Sequence, residues 1–229
     1  TWCLVGSEMC IRDSRHSFTA RPIRADLLAR WRQVPPAIAG DCLNRDHCMT
    51  GRIAPLAPGM AITGLARTVT PMAGDNAAIH VAIALIEPGD VLVIGGGGDI
   101  NIALIGGIIM ECAKGRGIGG VVIDAAVRDV AELRALGVPV FAAGATPRGP
   151  HKGFGGEIDA PVACGDVVVT PGDLILADDD GVAVVPAARM VDLIDACEAK
   201  LADEAAAIEK IRAGTTTVEL QGLEIPAPI

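Results

Sequence analysis

Tyrosine is missing from this chain, and three Phe and two Trp are its only aromatic residues. A core without large rings must be filled by Val, Ile, Leu and Ala, which suits buried strands covered by helices. Long apolar runs are missing too. Ile100–Met110, the best candidate, is bounded by Asp99 and Glu111 and interrupted by Asn101 and two glycines. That falls short of the roughly 18 apolar residues of a membrane span, so no membrane partner is expected. Basic charge is scarce: 19 Lys and Arg against 28 Asp and Glu leave a net charge of −9. Phosphate backbones need clustered cations, so no nucleic-acid partner is expected either. Seven cysteines are scattered without a framework spacing, as reduced thiols of a cytoplasmic protein would be. Cys42, His47 and Cys48 lie close together, but no second ligand pair follows to complete a zinc site. A charged-then-apolar leader is also lacking.

What is present is aliphatic: 51% of the 229 residues are hydrophobic. That length suits one domain of generous size. The apolar surplus predicts burial between subunits, hence a homo-oligomer. Gly6–Ser14 resembles translated adapter sequence, so residues 1–17 are expected to be a non-native or disordered segment, with the domain spanning 18–229.

Periodicity predicts a helix over Pro22–Val34, stopped by Pro35-Pro36, a strand over Ala61–Val69 and a helix over Asp75–Leu85. A strand at Val91–Ile94 is followed by four glycines, Gly95 to Gly98, and a helix over Asn101–Lys114. Strand Val121–Asp124, helix Asp129–Leu136 and strand Val138–Ala142 complete a βαβαβ run, the mark of a parallel sheet with crossover helices. Short β segments then fall near Ile158–Ala163, Val167–Val169, Leu174–Ala177 and Val182–Val185, before a long helix over Ala187–Ala213 and a polar tail. The fold class is α/β, one domain with an added β layer.

Three features could carry chemistry. The glycines fail the dinucleotide fingerprint, because Ile100 or Asn101 stands where the sixth-position glycine belongs. They fit a turn where the chain runs close to other backbone. In Val121–Asp129, a buried strand leads to Asp124, Arg128 and Asp129 at its carboxy end, where α/β sheets place ligands. A structural alternative stands beside this: Asp129-Val130-Ala131-Glu132 has the spacing of a capping box, and Arg128 could pair with Asp124. Third, Glu204 falls inside the apolar stripe of the last helix, among Cys197, Leu201, Ile208 and Ile211. A carboxylate there needs a partner or a task; an ion pair at a subunit contact is one answer, catalysis the other.

Seven segments in order complete the picture: Gly89–Val93, Ala103–Gly107, Val121–Asp129, Thr146–Pro150, Gly156–Ile158, Pro171–Asp173 and Asp180–Val182. Together they resemble the RraA-like family, which includes 4-hydroxy-4-methyl-2-oxoglutarate and 4-carboxy-4-hydroxy-2-oxoadipate aldolases, over roughly residues 35–215. The resemblance implies a swivelling β/β/α domain, a homotrimer or hexamer with sites between subunits, and a divalent metal, Mg²⁺ or Mn²⁺. It implies a small oxo-acid substrate, cleaved to pyruvate by retro-aldol reaction, and oxaloacetate decarboxylation beside it. By the same resemblance Arg128 binds the pyruvyl group and Asp129 ligates the metal. Amides at Gly107, Ile108 and Ile109 hold the carboxylate, and Glu204 reaches a neighbouring subunit's site.

Two positions depart from the pattern. Active relatives carry an acid 21 positions before the arginine, which here is Gly107, and usually a glycine where this chain has Ala125. Asp124 or Glu204 is the candidate substitute for the missing acid. The family also holds regulators of ribonuclease E, so a non-catalytic binding protein is the alternative.

Overall fold

The computed structural model describes residues 23–226; the expectation for residues 1–17 lies outside them. Around one large sheet the strands run in the order β1-β5-β4-β3-β2-β9-β10, with β6 paired to β2. Four of them, β2 (Ile62–Pro71), β3 (Val91–Ile105), β4 (Gly120–Val127) and β5 (Val140–Ala145), form the parallel centre. β1 (Ala54–Pro55), β6 (Gly156–Ile158), β9 (Leu174–Asp178) and β10 (Gly181–Val185) join antiparallel. A hairpin of β7 (Val162–Cys164) and β8 (Val167–Val169) stands apart.

Every residue of β4 is buried, because both faces of the sheet are covered. Successive side chains of a strand point to opposite faces, and the aliphatic sequence serves both. Leu92, Ile94, Val121 and Ile123 pack among α3 (Ala77–Ala84), α4 (Gly107–Gly115) and α5 (Val130–Leu136). Val91, Val93 and Val122 pack against Val162, Val167 and Val169 of the hairpin. Each fully buried aliphatic side chain contributes about 1.5–3 kcal/mol.

A third cluster joins α1 (Ala25–Trp31), α2 (Pro36–Cys42) and the long α6 (Met190–Arg212) to β9 and β10. Trp31 is fully buried there and donates its indole N–H to the Met190 carbonyl at 3.2 Å. The result is a mixed α/β domain with a long carboxy-terminal helix. Among the described residues, no helix is long and apolar enough to cross a membrane.

Several elements differ from the sequence reading. Pro36 does not merely end a helix; it opens α2 at its first position, where a missing N–H costs nothing. The Ile158–Ala163 segment divides between β6 and β7. The polar tail contains a short helix, α7 (Thr217–Gln221), started by a Thr216–Glu219 capping box.

The largest correction concerns residues 95–105. They continue β3 through irregular register shifts rather than forming a turn and a helix. The close-approach reading of the glycines holds within that strand. A Cβ on Gly95 would sit 2.2 Å from a Val162 methyl, and one on Gly96 would sit 2.6 Å from the Asp124 carbonyl oxygen. Gly97 and Gly98 have φ of 66° and 76°, which bends the strand as bulges do. Helix α4 therefore begins at Gly107, six residues later than expected from Asn101.

Candidate functional site

The chain leaves β4 at Val127, and Arg128 and Asp129 follow before α5. The Arg128 amide donates to the Ile105 carbonyl at 3.0 Å, so this exit is tied to the end of β3, just ahead of α4. Asp129 lies in the left-handed region, with φ 58° and ψ 38°. Asp tolerates that region better than most residues, but the conformation is uncommon and such positions cluster at functional sites.

The strained backbone turns the Asp129 side chain away from its own helix. It makes no capping bond to α5. Instead Oδ2 accepts the Gly107 N–H at 3.0 Å, satisfying one of the orphan donors at the start of α4. The capping-box expectation is thus corrected: Asp129 caps α4, and it does so across space. A carboxylate there also meets the positive end of the helix dipole.

Two glycines make room for this contact. A Cβ on Gly106 would lie 2.6 Å from Asp129 Oδ2 and 2.9 Å from Arg128 Cγ. A Cβ on Gly149 would lie 2.4 Å from an Arg128 guanidinium nitrogen. Arg128 is therefore seated between two backbone segments, with Nε 3.5 Å from Asp129 Oδ2.

Glu132, read from the sequence only as the far end of a capping box, comes to the same place. Its Oε2 lies 2.3 Å from where a Gly107 Cβ would be, and Asp129 Oδ2 lies 3.8 Å from the same point. An acid from the first turn of α5 thus lies beside the position where the expected acid is absent. Within this chain neither Asp124 nor Glu204 stands beside that point. The clue in the sequence was the empty position itself, together with an acid one helical turn beyond Arg128.

Asp124 is committed elsewhere. Both its oxygens accept from one Arg52 nitrogen at 3.0 Å, and Oδ2 also accepts the Gly165 N–H at 3.2 Å. The expected Arg128–Asp124 pair is not formed; Arg52 takes the buried carboxylate, and Arg128 pairs with Asp129.

Glu204 does not face the core as its stripe implied. No residue of α6 beyond Cys197 is buried, and Glu204, half exposed, pairs with Lys200 at 3.2 Å. Ile208 and Ile211 are exposed beside it, at 47% and 41%. Within this chain, Glu204 is absent from the walls of the cavities that hold Arg128.

Both cavities have Arg128 in their walls. One, of about 340 Å³, lies between Asp129, Val130, Thr146 and Pro147. The other, of about 110 Å³, is walled by Asn76, His80, Ile108, Ile109, Pro150 and Lys152 as well as Arg128. Of the three amides expected at the carboxylate, that of Gly107 is taken by Asp129, but helix geometry leaves the Ile108 and Ile109 N–H groups without intrahelical acceptors, so these amides, Arg128 and Lys152 give this cavity a positive lining. His80, solvent-exposed at the cavity wall, is held below its ordinary value of 6.5, first by partial desolvation and then by the Lys152 charge. A third cavity, of about 240 Å³, follows Gly95–Gly97 and includes Asp99 but no cationic side chain. Chemistry favours the two at Arg128.

Comparison with known proteins decides the family. The RraA-like profile, described as Aldolase/RraA, matches residues 37–184. This chain belongs to the RraA-like family. It is 37% identical over 181 residues to a Halalkalibacterium halodurans protein provisionally named 4-hydroxy-4-methyl-2-oxoglutarate aldolase, covering 79% of this chain and 86% of that one. A solved structure of an uncharacterized protein from Pseudomonas syringae pv. tomato superimposes with a TM-score of 0.78 at 26% identity, covering 88% of this chain and 95% of that one. RraAS2 of Streptomyces coelicolor, described as an unusual member of the RNase ES inhibitor RraA family, gives 0.73 at 30%, covering 84% and 100%. The RraA-like chain therefore has both an aldolase-named relative and a member of an RNase ES inhibitor family among its likenesses.

Proposed function

We propose that this RraA-like protein is a divalent-metal-dependent lyase. It would cleave a 4-hydroxy-2-oxo acid to pyruvate by retro-aldol reaction and decarboxylate oxaloacetate at the same site. The observation that carries the reading is the convergence of Arg128, Asp129 and Glu132 on the start of α4.

The donor set fits the metal. Among the described residues, no group of three or more His, Cys, Asp or Glu is placed to hold an ion. Two carboxylates, Asp129 and Glu132, lie within 4 Å of one point. Mg²⁺ is commonly held by one or two carboxylates with water and substrate completing its shell. Asp129 and Glu132 would hold the ion, which when bound supplies Lewis-acid polarisation of the 2-oxo group.

The remaining steps belong to the chain. The Ile108 and Ile109 amides receive the substrate carboxylate at the positive end of α4. Arg128 offers a fixed donor fork to the 2-oxo oxygen, which gains negative charge as the C3–C4 bond breaks. In retro-aldol cleavage a base takes the C4 hydroxyl proton, the bond electrons pass to C3, and C3 is then protonated to give the pyruvate methyl group. In decarboxylation the same electrons are left by departing CO₂. Glu204 is proposed as the proton-handling carboxylate, supplied by a second copy in a homotrimer or hexamer. Its absence from the walls of the Arg128 cavities in its own chain, beside the exposed Ile208 and Ile211 of α6, supports that role.

The test is pyruvate release from oxaloacetate and from 4-hydroxy-4-methyl-2-oxoglutarate with Mg²⁺ or Mn²⁺, before and after chelation. Metal-dependent pyruvate supports the lyase. Its absence from both substrates favours the second reading, a regulatory binding protein, which the likeness to RraAS2 supports.

A further inference from the structure

The small cavity beside Arg128 draws its walls from three separate stretches: α3, the end of β3 with α4, and the irregular segment after Pro150. That last segment, 151–155, carries Lys152 but belongs to no helix or strand, and glycines stand in it at 153 and 155. Something must fix it. The 74–76 turn does so with a dense set of bonds. The His151 N–H donates to the Gly74 carbonyl at 2.8 Å, and the His151 carbonyl accepts the Asn76 N–H at 3.0 Å.

Asp75 lies at the middle of this turn, 1% exposed. Its Oδ2 accepts the Gly153 N–H at 2.6 Å and the Phe154 N–H at 3.2 Å, while Oδ1 accepts the Ala77 N–H at 2.8 Å. A carboxylate is the side chain suited to this, since it accepts on both oxygens and donates on neither. Next to it, Asn76 Nδ2 donates to the Leu104 carbonyl at 2.9 Å, tying the same turn to the end of β3. Lys152 lies between the clamped His151 and Gly153 and forms no ion pair among the described residues. Its charge nonetheless reaches His80 across the cavity.

We infer that Asp75 is a positioning residue: its buried carboxylate fixes residues 151–154 and so places the Lys152 ammonium beside Arg128 to bind an anionic, carboxylate-bearing substrate. This rests on the lyase reading for the identity of the substrate, but the clamp itself does not. Asp75 touches no reacting atom and acts through Lys152.

Asp75→Ser tests this best, because a serine hydroxyl can keep the local bond to the Ala77 N–H while losing reach to the loop. Asp75→Asn serves as a second variant, since it turns an amide donor toward N–H groups on one side. Three measurements separate the outcomes. Hydrogen exchange at the Gly153 and Phe154 amides should accelerate in Asp75→Ser while the α4 amides are unchanged; unchanged exchange in both variants overturns the clamp. The KM for oxaloacetate with Mg²⁺ should rise about tenfold in Lys152→Met, the scale of one charge-assisted hydrogen bond, and by a similar factor in Asp75→Ser. Most of the change should lie in KM rather than kcat. In the double variant the two factors should not multiply; if they do, or if kcat alone falls, Asp75 does not act through Lys152. Oxalate affinity by calorimetry with Mg²⁺ present repeats the cycle without turnover. Wild-type protein that binds oxalate with the same non-additive cycle but releases no pyruvate contradicts the lyase and keeps the inference. Wild-type protein that does not bind oxalate overturns the inference.

Discussion

Gly107→Ala puts one methyl group where the site has none to spare. The added Cβ would lie 2.3 Å from Glu132 Oε2, and real contacts are not found below 3.0 Å, so the carboxylate must retreat by at least 0.7 Å. Glu132 is exposed and its side chain swings out at little steric cost. Gly107 is not among the residues with positive φ, so alanine fits the backbone. Replacing glycine in a helix gains up to ~1 kcal/mol, and a domain of this size shifts by roughly 2–4 °C per kcal/mol. Stability should therefore hold or rise slightly. Metal sites tolerate only about 0.5 Å of ligand misplacement, and losses in supporting ligands cost about 10- to 100-fold in affinity. The half-saturating Mg²⁺ concentration for pyruvate release from oxaloacetate, followed by coupling pyruvate to NADH oxidation, should rise by about that factor. For the same reason Gly107→Asp alone should impair the protein by crowding three carboxylates, whereas Gly107→Asp with Glu132→Ala should restore function. An unchanged Mg²⁺ requirement in Gly107→Ala would refute the placement of Glu132 at the metal.

Glu204→Ala and Arg128→Ala should each be inactive alone, and reassembled mixtures should regain some turnover if two copies share a site; inactive mixtures would count against sharing. His80 is held below 6.5 by partial desolvation and Lys152, so its contribution to stability, small for an exposed side chain, is complete above pH ~6.5 and is lost as pH falls through the depressed value. The Tm of wild type should accordingly fall more between pH 7 and pH 5 than that of His80→Gln, and equal slopes would contradict this. Arg52→Ala strips the buried Asp124 carboxylate of its cation, which should cost about 2–3 kcal/mol, below the ~3–5 kcal/mol of a fully buried pair because Arg52 is 45% exposed. Thermal denaturation should show a drop of roughly 5–10 °C, with kcat near that of wild type; a normal Tm would show that water replaces Arg52 without loss.

The parallel centre was legible because β3 and β4 are aliphatic at every position near their starts, and their order with intervening helices admits few arrangements. Residues 100–109 misled, since Ile100, Ile102, Leu104, Ile105, Ile108 and Ile109 satisfy both a strand and a helix pattern. What decided for the strand was its pairing with β4, in which Asp99, Ala103 and Ile105 face Ala125, Ala126 and Val127. The Arg128–Asp129 pair was conspicuous from its place at the end of β4, and the roles proposed for it came from the resemblance. Its geometry was not, because a capping box is a local rule and the start of α4 competes for Asp129 from 22 positions earlier in the chain. Glu132 was hidden by the same assumption. Asn76, His80 and Lys152 lie far apart in sequence, and only folding brings them around one cavity. Glu204 was conspicuous for a sound reason, an acid on an apolar stripe, but that stretch of α6 is not covered by its own chain.

Asp129→Asn in the metal-dependent release of pyruvate from oxaloacetate tests the central claim most directly. Asparagine accepts the Gly107 N–H through its amide oxygen, so a purely structural Asp129 predicts a stability loss of no more than ~1 kcal/mol and normal turnover. The lyase account predicts near-normal folding, with turnover in Mg²⁺ or Mn²⁺ reduced by orders of magnitude. Full metal-dependent turnover in Asp129→Asn would contradict it and leave Asp129 as the cap of α4.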